Sequence, residues 1–230
     1  MPKKLITACM ALVAFAAPAL GSASASATNT PSLTAPAGTV AAVGSTIVGT
    51  SVDPLFLGTE GTSLFTCVSA KLTGEVTKNS GGNVEGNITS ATFVGSKEPI
   101  TPEPDKACTG IFNASVTATT PWCLRSTTTM KTNEFQLRGG KCSEAAKTIV
   151  IHLVAAAPAI TCTYERTTAT GPITGTSTTL GSPAIVAFHE TSAGSGFVRS
   201  AGSSAFCPSS ITLRLTFTLE NGSGQAAVLD

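Results

Sequence analysis

Residues 211 to 220 read Ile-Thr-Leu-Arg-Leu-Thr-Phe-Thr-Leu-Glu, and the alternation is complete. Ile211, Leu213, Leu215, Phe217 and Leu219 take one parity; Thr212, Arg214, Thr216, Thr218 and Glu220 take the other. Successive side chains of an extended strand point to opposite faces, so this ribbon has one oily face and one wet face. Threonine suits the wet face because its branched β-carbon supports the strand while its hydroxyl stays hydrated.

The same pattern recurs along the chain. In SLFTCVSAKLTGEV, Leu64, Thr66, Val68, Ala70, Leu72 and Val76 share one parity and read as one long strand. Ile149, Ile151 and Leu153 do so in TIVIHLV, and further strands are AITCTY at 159–164 and AIVAFHE at 184–190. Ser80-Gly81-Gly82-Asn83, Gly95-Ser96, Ala157-Pro158 and Gly171-Pro172 punctuate them, and no window has helical apolar spacing. Many strands with one wet face imply antiparallel pairing, and two such sheets bury their oily faces against each other. The expected fold is therefore all-β: an antiparallel β-sandwich, Ig-like or jelly-roll-like, stabilised by disulfides. A single domain is expected over 39–220, with a flexible lead-in at 28–38 and a flexible tail at 221–230.

The first 27 residues read as a secretory signal. Lys3 and Lys4 supply the basic start, Leu5 to Ala19 the apolar run, and Ala23-Ser24-Ala25 or Ala25-Ser26-Ala27 the cleavage site. The run is shorter than the roughly 20 residues that cross a bilayer, and no later segment is apolar enough to span one. Cys9 would leave with the signal. The expected location is outside the cell or at its envelope. Only 12% of residues are charged and the net charge is +1, so nucleic acid is excluded as a partner. Roughly one residue in six is threonine.

Of the 7 cysteines, the six other than Cys9 are Cys67, Cys108, Cys123, Cys142, Cys162 and Cys207. An even set in an exported chain implies disulfides, although six cysteines permit fifteen pairings. The stretch 122–142, WCLRSTTTMKTNEFQLRGGKC, narrows the choice. With Thr132-Asn133 as a two-residue turn, Cys123 faces Cys142, Lys131 faces Glu134 and Met130 faces Phe135. Trp122, Leu124, Met130, Phe135 and Leu137 then share the buried face, and Arg125, Thr127, Thr129, Gln136 and Arg138 the wet one. One register satisfies alternation, charge pairing and disulfide reach together. Neighbouring strands in sequence usually neighbour in space, which pairs Cys67 with Cys108 and Cys162 with Cys207.

The chain offers little to enzyme chemistry. The two histidines are His152, on a strand parity with Val150 and Val154, and His189, at a strand end beside Glu190. No G-x-S-x-G elbow, calcium loop or C-x-x-C pair is present, so no catalytic residue, cofactor or metal is assigned. Glu98, Glu103 and Asp105 lie in a proline-broken loop with no motif. Trp122 and Tyr164, the single tryptophan and tyrosine, fall on strands and give no sugar-stacking platform. The wet hairpin face is modestly basic, with Arg125, Lys131, Arg138 and Lys141 against Glu134; an ordinary solvated face is the expected reading, and contact with anionic cell-wall polymer the alternative. Three asparagines, Asn87, Asn113 and Asn221, match the N-glycosylation pattern.

Several pieces in order resemble a loose group of secreted, threonine-rich actinobacterial β-proteins that have no assigned activity. They are C-x-S-x-x-L-T-G from Cys67, S-A-T-F-x-G from Ser90, C-T-G from Cys108, V-T-A-T-x-x-P-W from Val116, C-T-Y from Cys162 and F-C-P-S-S-x-x-L from Phe206. In that group the cysteines matching Cys67, Cys108, Cys162 and Cys207 recur more often than those matching Cys123 and Cys142. The resemblance implies a compartment, and a hairpin bridge that is an addition to two commoner ones. It implies no mechanism.

The expected function is a non-enzymatic structural or binding module whose partner is an envelope polymer or another secreted protein. Two alternatives are an extracellular hydrolase using His189 or loop carboxylates, and a carrier of a small apolar ligand between sheets.

Overall fold

A computed structural model of the chain describes residues 32–35, 39–59, 62–95, 107–127, 129–130, 133–155, 159–178, 183–190 and 196–229. The expected signal and the loop holding Glu98, Glu103 and Asp105 lie outside the described residues. The first strands are β1 (Leu33–Thr34), β2 (Thr46–Ser51), β3 (Leu55–Thr59), β4 (Thr62–Cys67), β5 (Ser69–Ser80) and β6 (Asn83–Val94). Next come β7 (Thr109–Gly110), β8 (Ser115–Ala118), β9 (Trp122–Ser126), β10 (Glu134–Gly139), β11 (Ile149–Ala155) and β12 (Ile160–Arg166). A 3-10 turn, Thr168–Thr170, precedes β13 (Ile173–Thr178), β14 (Ile185–His189), β15 (Phe197–Arg199), β16 (Ser210–Asn221) and β17 (Val228–Leu229).

The all-β architecture and the antiparallel pairing are as the alternation predicts. The sandwich is not: eight strands close into a barrel in the order β14-β13-β10-β9-β6-β5-β2-β16, with β16 pairing back onto β14. The alternating stretch 211–220 lies on the seam strand, β16. At 12 residues β16 is about 40 Å long, enough to serve two sheets. Its Arg214–Asn221 part lies between β14 and β2 in the barrel, while its Ser210–Arg214 part lies between β15 and β3. A second arc grows from that part, through β15, β12, β11 and β8 on one side and β3, β4 and β7 on the other. Its two ends meet at the Cys108–Ala114 bridge. A barrel and a sandwich bury the same face of every strand, so alternation cannot separate them; the edge pairing of β14 with β16 does.

Ile211, Leu213, Leu215, Phe217 and Leu219 all point inward, none more than 4% exposed. One continuous core runs from Leu57, Phe65, Ile151, Leu153 and Phe197 in the arc to Leu72, Val76, Phe135 and Val186 in the barrel. Phe217 fills the barrel against Gly49, where a β-carbon would stand 2.8 Å from its ring. The Gly81-Gly82 turn between β5 and β6 takes positive φ at both residues, 59° and 73°, as a two-residue hairpin turn demands.

Three sequence expectations differ from the structure. SLFTCVSAKLTGEV is two strands broken at Val68: Phe65 and Cys67 are buried before the break, Ala70 and Leu72 after it. The chain there passes from the arc to the barrel, and the change of partners reverses its inward parity. The 122–142 hairpin has slipped: Cys123 faces Arg138 instead of Cys142, a displacement of four residues. An even displacement preserves the faces, so Trp122, Phe135 and Leu137 remain buried and Arg125, Gln136 and Arg138 stay outside. Thr-Asn does not favour the tight turn that the expected register requires; β9 ends at Ser126 and β10 begins at Glu134. Finally, Leu33–Thr34 and Val228–Leu229, in the expected lead-in and tail, pair with each other and are buried. Asn79 fastens them: its Oδ1 accepts the Leu33 N–H at 2.9 Å, and its Nδ2 donates to the carbonyls of Leu33 and Ala41.

All three expected disulfides are formed: Cys67–Cys108, Cys123–Cys142 and Cys162–Cys207. With the register slipped, Cys142 reaches Cys123 because the loop after β10 folds back over the outer wall.

Candidate functional site

That returning loop shapes the outer wall of the barrel. Cross-strand pairing sets the outer-wall row Glu85, Arg125, Gln136, Thr174 and, beside it, Asn87, Cys123, Arg138. The Cys123–Cys142 bridge clamps the loop onto the second row, and the Cys142 N–H donates to Asn87 Oδ1 at 2.8 Å. Arg138 Nη2 donates to the carbonyls of Cys142 and Glu144, each at 3.0 Å, and more distantly to that of Lys141. Asn87, one of the three glycosylation matches, is thus buried under the loop at 7% exposure.

A cleft of about 120 Å³ lies between this loop and the turn after β12. Arg125, Arg138, Lys147 and Arg166 line it with Thr167 and Thr168, and no carboxylate does. Arg166 is a pillar of the far wall: its Nε donates to the Gly171 carbonyl at 2.9 Å, its Nη2 to that of Pro172 at 2.8 Å, and it pairs with Glu190. Lys147 makes an exposed pair with Glu144 at 2.6 Å. Arg125 is different. Its Nε and Nη2 both point to the neutral Gln136 Oε1, at 3.3 and 3.0 Å. Neither Arg125 nor Arg138 is in an ion pair among the described residues. Arg138 Nε is buried without a hydrogen-bond partner. Burial, then the Arg125 charge, lowers the Arg138 guanidinium below its ordinary value, with Glu85 and Glu144 opposing. Arg125 also lines an open outer basin of about 550 Å³ with Asn83, Thr127, Gln136 and one carboxylate, Glu134; cleft and basin adjoin at Arg125, and together we call them the trough.

The sequence places Arg125, Gln136 and Arg138 on this wet face, as found. Lys131 lies outside the described residues, and Lys141 is exposed on the covering loop. Lys147, Arg166, Thr167 and Thr168 carried no signal, because they reach the cleft only through tertiary folding.

The other sequence candidates lie apart. His152 Nδ1 is 3.1 Å from Thr163 Oγ1 on the outer face of β11, and His189 Nε2 is 3.3 Å from Thr216 Oγ1. Burial, then Arg214, lowers the His189 pKa, with Asp53 opposing. Trp122 is buried with its indole N–H donating to the Thr119 carbonyl at 2.7 Å. Tyr164 is buried, its hydroxyl donating to the Pro208 carbonyl, and burial pushes its pKa up to about 12. The barrel interior keeps an apolar space of about 50 Å³ beneath Leu33. That is well short of the roughly 150 Å³ cavity that takes benzene. Among the described residues no three potential metal ligands gather, and no helix is long and apolar enough to cross a membrane.

These features define a disulfide-bonded all-β barrel protein with a basic trough on its outer wall. No protein family, curated protein or solved structure matches the chain significantly.

Proposed function

We propose that the protein is an exported, non-enzymatic binding module acting at or outside the cell envelope, and that its outer-wall trough engages anionic envelope polymer. The observation that carries this reading is the pair Arg125 and Arg138, set on a disulfide-clamped wall and engaged in no ion pair among the described residues. Guanidinium forks match phosphate and carboxylate oxygens, and holding them rigidly lowers the entropic cost of binding. The three disulfides point to an oxidising compartment, where such polymers are found. A chain large enough to fold without staples gains durability from them.

Fractionation of producing cells tests the location. The chain is expected in the envelope or the medium, oxidised and beginning after Ala25 or Ala27; recovery from the cytosol with free thiols would refute the reading.

A further inference from the structure

Within the trough, we propose that the cleft of Arg125, Arg138, Lys147, Thr167 and Thr168 is a discrete site for one tetrahedral oxyanion, a phosphate group above all. The proposal rests on the trough being a binding surface and names the group it recognises.

Its donors come from three separate elements: the β9–β10 wall, the loop after β10 and the turn after β12. A planar carboxylate offers oxygens in one plane, whereas a phosphate offers them in several directions and uses donors around a cleft more fully. The walls are held independently of any ligand. Arg138 Nη2 fixes the 141–144 loop through backbone carbonyls, and Arg166 fixes the Gly171–Pro172 end of the opposite turn. Several of the donors are also incompletely or weakly engaged. Arg138 Nε is buried without a hydrogen-bond partner, the side-chain hydrogen bonds of Arg125 go to an uncharged amide, and the exposed Lys147–Glu144 pair is the weak kind that yields to a better anion. Two guanidinium groups repel each other until an anion neutralises both, so occupancy removes a repulsion as well as adding contacts. At about 120 Å³ the cleft has room for such a group with water beside it.

The test is a titration of the oxidised protein with inorganic phosphate, sulfate and acetate at constant ionic strength, followed by the arginine Nε–H resonances. Phosphate should move the Arg125 and Arg138 signals saturably at millimolar concentration, while acetate moves them weakly. Arg125→Gln, which leaves the loop contacts of Arg138 intact, should weaken phosphate at least tenfold, and Lys147→Gln should weaken it less. Linear shifts equal for phosphate and acetate, or full affinity in Arg125→Gln, would overturn the site. A second arm compares poly(glycerol phosphate) with polyglutamate. Preference for the phosphodiester polymer supports the site, and preference for polyglutamate counts against it. Phosphate binding by a chain found in the cytosol would sink the envelope reading and leave the site standing. Envelope retention without phosphate binding would do the reverse.

Discussion

Arg166 and Glu190 meet as an ion pair inside the molecule, each side chain 5% exposed. Arg166 ends β12 in the arc, Glu190 follows β14 in the barrel, and Glu190 Oε2 also accepts the Leu213 N–H of the shared strand β16 at 3.1 Å. One pair therefore ties the two bodies at their seam. Burial pushes the Glu190 carboxyl up, with Arg166 and the Leu213 N–H pulling it back.

Removing either partner strands a buried charge. Glu190→Gln and Arg166→Met should each cost about 3 to 5 kcal/mol in urea unfolding, whereas Glu190→Leu combined with Arg166→Met should recover much of the loss. A single-variant cost under about 0.5 kcal/mol would mean that the pair does not hold the seam.

Gly49 should not tolerate a side chain. Gly49→Val sets a branched β-carbon against the Phe217 ring, which already lies 2.8 Å from where a β-carbon would stand, and should cost about 1 to 3 kcal/mol. An unchanged denaturation midpoint would show that the ring is free to move aside.

His189 should titrate below the ordinary 6.5, because burial and then Arg214 disfavour its charged form. A depressed histidine contributes stability that is present above the unfolded value and is lost as pH falls through the folded one. Proton NMR of the ring gives the midpoint, and Arg214→Gln should raise it. A midpoint above 6.5 in the wild type would contradict the stated cause.

The hairpin disulfide should matter to the trough as well as to stability. Replacing Cys123 and Cys142 with alanine should cost about 3 kcal/mol in the chain-entropy account. It also frees the 141–144 loop that Arg138 grips, so phosphate affinity should fall with it. Undiminished phosphate binding in that variant would separate the bridge from the site.

Alternation made β16, β11, β12 and β14 legible because a half-buried strand writes its two faces into every second residue. Disulfide pairing was legible for the same local reason: Cys67 and Cys108, and Cys162 and Cys207, sit in parts of the chain that fold beside each other. Closure of the barrel was not, since the pairing of β14 with β16 leaves no mark on either strand's parity. Nor was the break at Val68, where an apolar residue stands at a bend and interrupts no visible pattern. On the outer wall, Arg125 and Arg138 could be placed through the faces of the hairpin even with the register four residues off. Lys147 and Thr168 depend on how two loops meet across the wall, which no periodicity encodes.

The most direct measurement is retention of purified, oxidised protein on the anionic envelope polymers of its producer, wild type beside Arg125→Gln, across a salt series. The wild type should be retained at low salt and released as salt rises, with the variant bound at least tenfold more weakly. Equal retention of the two proteins, or none by either, would contradict a basic trough as the working surface.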